Sequence, residues 1–238
     1  MQKINLSAKD VKKGVKLPTG ISSNLAYLCG ILAGDGSIYS RKEKNDYIIK
    51  CVGNPKDEQE LYTKIIALLF KEIFGFIPNI GYQDSKTTYG FVIYSKAIFT
   101  YLTDVIGMPQ GKKYDTLCIP AIFKKEEQLL IPFLRGLFDT DGCISFKKKY
   151  KLTPYYPVIT LSSKSSRLIR EVADILKEKQ FKVVEIYDYK LFDKRIEKGY
   201  TKISRLELNG KYNLLRWNEV IRFSSPKHLA KIKEYWKE

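Results

Sequence analysis

Two stretches of this chain, LCGILAGDG at 28–36 and LRGLFDTDG at 134–142, spell nearly the same pattern. In each, an apolar run with helical spacing stops on an acid and a glycine. Polar–apolar alternation then begins at once, SIYSRK after the first copy and CISFKKKYK after the second. Asp141 lies 106 residues beyond Asp35, so the two acids occupy equivalent places in two halves of one chain. Whatever unit one half builds, the other must build too.

The unit can be read onward from each acid. After the first come a turn-like KEKND, a strand candidate YIIKCV and an amphipathic segment, NPKDEQELYTKIIALLFKEIFG, with Leu61, Ile65, Leu68 and Leu69 expected on one face. After the second come a strand candidate YYPVITLSS and the helix SSRLIREVADILKEKQF, capped by Ser165 or Ser166. Alternation predicts two further strands per half, at 79–84 and 88–95 and at 182–190 and 200–208, each pair followed by a helix. The fold class is therefore α+β: two pseudo-symmetric αββαββα repeats, each with a four-stranded antiparallel sheet whose helices cover one face. The other face is left for a partner. The repeats are expected over 1–107 and 126–238, joined by a Gly-, Pro- and Lys-rich linker at 108–125 and ending in a short basic tail.

Composition narrows the partner. Lys and Arg number 42 against 26 Asp and Glu, a net charge of +16. The excess is spread over both halves, as on a broad basic surface, and such a surface suits nucleic acid. No apolar run reaches membrane-spanning length and no signal-peptide core is present, so an intracellular protein with no membrane partner is expected, cytoplasmic or organellar. Cys29, Cys51, Cys118 and Cys143 form no CxxC pair and are expected to be free and mostly buried. The only histidine, His228, excludes a Cys/His zinc cluster and leaves no Ser–His or Cys–His pattern; it and Trp236 are expected to pack.

The paired acids then need a cause. Gly30 and Gly34 stand four apart on the first helix, and Gly136 and Thr140 stand likewise on the second. Glycine costs a helix interior about 1 kcal/mol relative to alanine, and close approach of a second helix is a reason to bear it. Helices packed along these four small residues would bring Asp35 and Asp141 together. A helix C-terminus already carries partial negative charge, so two carboxylates there repel unless a cation joins them. Hard divalent ions accept that ligand set, and under a basic surface they suit phosphodiester hydrolysis.

LCGILAGDG and LRGLFDTDG resemble the paired signatures of the LAGLIDADG homing endonucleases in their single-chain, two-repeat form, and FSSPKH at 223–228 fits as well. The resemblance implies a saddle over double-stranded DNA and a monomer. It also implies Mg²⁺-dependent double-strand cleavage, with short 3′ overhangs, at a long asymmetric target, in the service of intron homing. Two or more Mg²⁺ ions are implied, with Mn²⁺ or Ca²⁺ able to substitute for binding. The essential acids map to Asp35 and Asp141, and the carbonyls before them, of Gly34 and Thr140, join the metal shell. Asp139 takes a position where an acid is common without being the main ligand. Basic residues beside the scissile phosphates map to Lys164 and to Lys56, with Asn54 a competitor.

DNA contacts are expected on the face shared with the acids. These are Ser37, Tyr39, Arg41 and Lys50 in one half, and Cys143, Ser145, Lys147, Lys149, Tyr156, Thr160, Ser162 and Arg205 in the other. The competing reading is a binder that does not cut, such as a maturase that assists splicing of its intron RNA. Such a binder has no need of both acids, and both are present. The Met1 start and the lack of flanking protein-splicing blocks favour an intron-encoded or free-standing protein.

Overall fold

The structure is a computed structural model that describes residues 4–113, 116–149, 153–194 and 197–236, without the side chains of Lys42, Lys148, Lys149, Thr153 and Pro154. A short α1 (Ala8–Lys12) precedes the first repeat. Then come α2 (Ser23–Gly34), β1 (Gly36–Arg41), β2 (Asp46–Gly53), a helix ending in α3 (Ala67–Phe74), β3 (Ile80–Gln83), β4 (Thr88–Tyr94) and a helix opening with α4 (Lys96–Thr100). A single-turn α5 (Ala121–Lys124) leads to the second repeat, α6 (Glu127–Thr140), β5 (Gly142–Lys149), β6 (Thr153–Ser163), α7 (Ser166–Glu178), β7 (Val183–Phe192), β8 (Tyr200–Asn209) and α8 (Gly210–Val220). The chain closes with α9 (Pro226–Tyr235).

Both sheets are antiparallel, with orders β1-β2-β4-β3 and β5-β6-β8-β7, so the fold is α+β and doubled. Gly36 pairs with Cys51 at the start of one sheet, and Gly142 pairs with Leu161 at the start of the other. Odd and even positions then divide, apart from Ile48 and Val158, which are buried in the open-face phase. Ile38, Ile49, Cys51 and Phe91 enter the core, as do Ile144, Ile159, Leu161 and Leu206, and the alternate positions line an open face. The helices lie against the core side.

The helix before α3 departs from the expected phase. Its first turns, Leu61–Ile66, are π-helical, which inserts a residue and rotates the remainder of the helix. The buried stripe becomes Leu61, Tyr62, Ile66, Leu69, Phe70 and Ile73, while Leu68, expected inside, is 59% exposed. All four thiols are free: Cys29 and Cys51 are buried, Cys118 is partly so, and Cys143 is exposed on the open face of β5.

Among the described residues, α2 and α6 make the most extensive helix–helix contact. From Leu25 to Ala33, α2 is buried on every side. Pro132 inside α6 has no N–H to offer the Gln128 carbonyl. The Ser23 hydroxyl of α2 donates to that carbonyl instead, at 3.1 Å, so the defect is met across the interface.

Candidate active site

The acids are brought together by backbone contact. A Cβ on Gly30 would lie 2.1 Å from the Phe133 carbonyl oxygen, and one on Gly136 would lie 2.2 Å from that of Tyr27. Only glycine allows the helices this close. One turn on, a Cβ on Gly34 would meet Thr140 Oγ1 at 2.2 Å and Asp141 Cγ at 3.3 Å. Thr140 is buried, and its hydroxyl donates back to Gly136 O and Leu137 O at 3.0 and 3.2 Å. Small size at Gly34 thus accommodates the larger Thr140, and Asp35 and Asp141 come immediately after.

The carboxylates meet in a crowded, negative place. Burial pushes the Asp35 carboxyl up to about 8, with the charges of Asp141 and then Glu58 adding to it and Lys227 and Lys113 opposing. Desolvation also raises the Asp141 carboxyl, to about 6, with Lys113 the main opposing charge. Asp35 Oδ2 is buried with no hydrogen-bond partner. That unpartnered oxygen, beside a second carboxylate, fits a hard divalent cation. Among the described residues no three His, Cys, Asp or Glu side chains group tightly enough to hold an ion unaided. A third party has to complete the shell.

Three residues at this site have no signal in the local pattern. Lys113, from the linker, donates from Nζ to the carbonyls of Leu32, Ala33 and Gly34 at 3.0, 2.9 and 2.9 Å. It thereby caps the negative end of α2, and the Gly34 carbonyl expected to face metal already accepts from an ammonium. Glu58, 4% exposed, accepts from the Asn54 backbone N–H at 2.6 Å and from Lys227. Lys227 comes from α9, so the second repeat reaches into the first. Lys113 sits in a run already read as linker and Lys227 within FSSPKH; the charge of each was visible but its destination was not.

Asp139 has a different task from its neighbour. It is fully buried, and it accepts from Tyr27 Oη at 2.7 Å and from the backbone N–H of Ser224 and Ser225 at 3.0–3.1 Å. It anchors the FSSP segment that aims α9. His228, 1% exposed, packs on the Phe223 ring at 4.6 Å, while Trp236 is 43% exposed at the end of α9.

Lys164 lines a cleft of about 230 Å³ together with Asp141, Lys113, Ser162 and Ser163. The pairing that equates Cys51 with Leu161 equates Asn54, and not Lys56, with Lys164. Lys56 lies two residues further on, exposed, with its backbone N–H bound to Asn54 Oδ1 at 2.9 Å. Of the two first-repeat candidates, the strand pairing therefore sets Asn54 level with Lys164.

The residues expected to meet DNA lie on the open faces. Ser37 and Tyr39 are half-buried; Arg41 pairs with Asp46 at 2.8 Å and Lys50 with Asp84 at 2.7 Å. In the second sheet Cys143 and Ser145 are exposed, and Lys147 lies over the exposed Tyr156 ring at 5.7 Å. Thr160 and Ser162 are half-buried, and Arg205 pairs with Glu207 at 2.9 Å. The Lys149 side chain lies outside those described.

Residues 129–222 match the model of the LAGLIDADG-like domain. Over the whole fold, the chain superposes on I-DmoI solved with DNA and Ca at a TM-score of 0.59 with 18% identity, covering 89% of this chain and 97% of that one. The chain has the two-repeat LAGLIDADG fold. It is also similar to the LAGLIDADG homing endonuclease I-GzeII solved with its DNA target, at a TM-score of 0.54, 12% identity and coverage of 92% and 89%. Among curated proteins, an uncharacterized protein of Methanocaldococcus jannaschii is 24% identical over 160 residues, 67% of this chain and 55% of that protein. Reverse gyrase of the same organism is 25% identical over 217 residues, 86% of this chain and 12% of the gyrase. The chain thus spans about half the length of the first relative and a small part of the other.

Proposed function

We propose that this chain is a monomeric, divalent-metal-dependent endodeoxyribonuclease. It cuts both strands of a long, asymmetric duplex target, leaves short 3′ overhangs and promotes intron homing. The observation that carries this is the meeting of Asp35 and Asp141 at the ends of two glycine-packed helices, with Asp35 Oδ2 buried and unpartnered.

Asp35 and Asp141 would hold Mg²⁺, with Mn²⁺ or Ca²⁺ able to take the same oxygens. Phosphate oxygens of the DNA are the third party that the site lacks. When bound, the metal supplies an activated water and a stabilised leaving oxygen. The protein's own work is otherwise electrostatic and positional. Lys113 and Lys227 lower the repulsion that the two acids face, and Lys164 lines the cleft where a phosphate would lie. Arg41, Lys50, Lys147 and Arg205 offer cations to the duplex on the open faces. Asp84, the partner of Lys50, is exposed, and such a partner holds a side chain weakly in water. A maturase acting on intron RNA needs the basic faces but not the acid pair.

Asp35→Asn and Asp141→Asn, made singly, should each abolish metal-dependent double-strand cutting of a site enriched from random duplex DNA. Gel-shift affinity for that site should survive in both. Cutting retained by both variants sinks the proposal.

A further inference from the structure

The two open faces are chemically unequal where they approach the acids. On the second sheet, the first open row beyond the Gly142–Leu161 pair is Ser162, Arg205 and Ile186, each directly opposite the next. The row after it is Thr160, Glu207 and Val184. On the first sheet, the row equivalent to Ser162, Arg205 and Ile186 is Val52, Gly90 and Gly81. Two of its three positions have no side chain, and nothing lies within 4 Å of where a Cβ of Gly81 would be.

Val184 and Ile186 are 48% and 41% exposed. Between them Glu185 turns the other way, its carboxylate paired with Lys177 of α7, so the two apolar side chains point away from the helices. No described part of the chain covers them. Beside them Arg205 pairs with Glu207 at 2.9 Å, and its Nε is buried without a hydrogen-bond partner. Residues 126–238 carry 24 Lys and Arg against 15 Asp and Glu, a net charge of +9, so the apolar pair stands on a half of the chain that suits a polyanion. On the major-groove edges of duplex DNA the apolar group is the thymine 5-methyl.

We propose that Val184 and Ile186 are specificity-determining residues that pack on thymine 5-methyl groups in the half-site under the second sheet. Gly81 and Gly90 leave the matching base pairs of the other half-site unread. This rests on the duplex-cutting function above.

The test begins with sites enriched from random duplex DNA by binding in Ca²⁺. Near the centre, one half-site should hold fixed thymines, and the mirrored positions of the other half should vary. Replacing those thymines with deoxyuridine should weaken binding by about fourfold per methyl. Ile186→Ala should erase the penalty at one position and Val184→Ala at another, leaving the remaining positions unchanged. A wild-type protein indifferent to deoxyuridine, or penalties that persist in both variants, overturns the assignment while leaving the endonuclease standing. Failure to enrich any site overturns both. Self-association of the free protein that Val184→Lys abolishes also overturns it, because the edge strand β7 would then serve a second copy.

Discussion

A methyl group added at Gly34 would have to share space with Thr140 Oγ1. Because that hydroxyl is already satisfied within α6, it has no reason to leave. Gly34→Ala should therefore destabilise the protein by about 1–3 kcal/mol, the usual cost of overpacking. Thr140→Ala in the same background should restore most of it, read as a double-mutant cycle in urea melts. Additive losses would show that the methyl clashes elsewhere. His228 allows a second test. Burial, then Lys227 and Lys231, hold its pKa down at about 3, so the folded state keeps it neutral while the unfolded chain takes a proton below about 6.5. The unfolded state binds more protons in that window, and stability must fall as pH drops through it. Between pH 7 and 4.5 the protein should lose about 2 kcal/mol more than His228→Phe does. Equal losses in denaturant titrations at the two pH values would place the imidazole in a wetter site. At this scale the acids and small residues were legible because they recur. Glu58, Lys113 and Lys227 were not, since each reaches the site from a segment whose local pattern says only helix start, linker or tail.

Among elements, strands were the most readable, because one face of each sheet is core and alternation results directly. Helix phase was readable only while the helix stayed regular: the π-helical turns at Leu61–Ile66 move Leu68 outside and Phe70 in. Register was not readable, so the sequence leaves Lys56 and Asn54 both open, and the pairing sets Asn54 level with Lys164. The least expected element is α9. Asp139 fixes its start through Ser224 and Ser225, and its Lys227 then meets Glu58, whose side chain is 5% exposed. Removing one member of such a pair strands a buried charge. Lys227→Met should cost about 3 kcal/mol, and adding Glu58→Gln should recover much of it, since the orphaned carboxylate is gone. Calorimetry of both variants decides this; no recovery in the double variant would mean that Lys227 matters for packing and not for charge.

For the whole molecule, the doubled sequence raises the question of whether half of it can stand alone. The side of α2 that carries Ser23, Tyr27, Gly30 and Gly34 meets α6, and with α6 gone that side is bared. Residues 1–107 expressed alone should therefore not form a folded monomer. The same small residues that admit α6 would admit a second α2, so a two-fold dimer is the expected product, with aggregation as the competing fate. In that dimer two Asp35 side chains would meet without Lys113 or Lys227 to oppose their charge. The repulsion must then be relieved by a cation or by protons, so Mg²⁺ should tighten the dimer at neutral pH and matter less as pH falls. Light scattering on the half-chain, with Mg²⁺ and with chelator, reads this directly. A folded monomer would show that α2 can be capped from within its own repeat. A dimer indifferent to Mg²⁺ would show that the helices can pair without bringing their acids together.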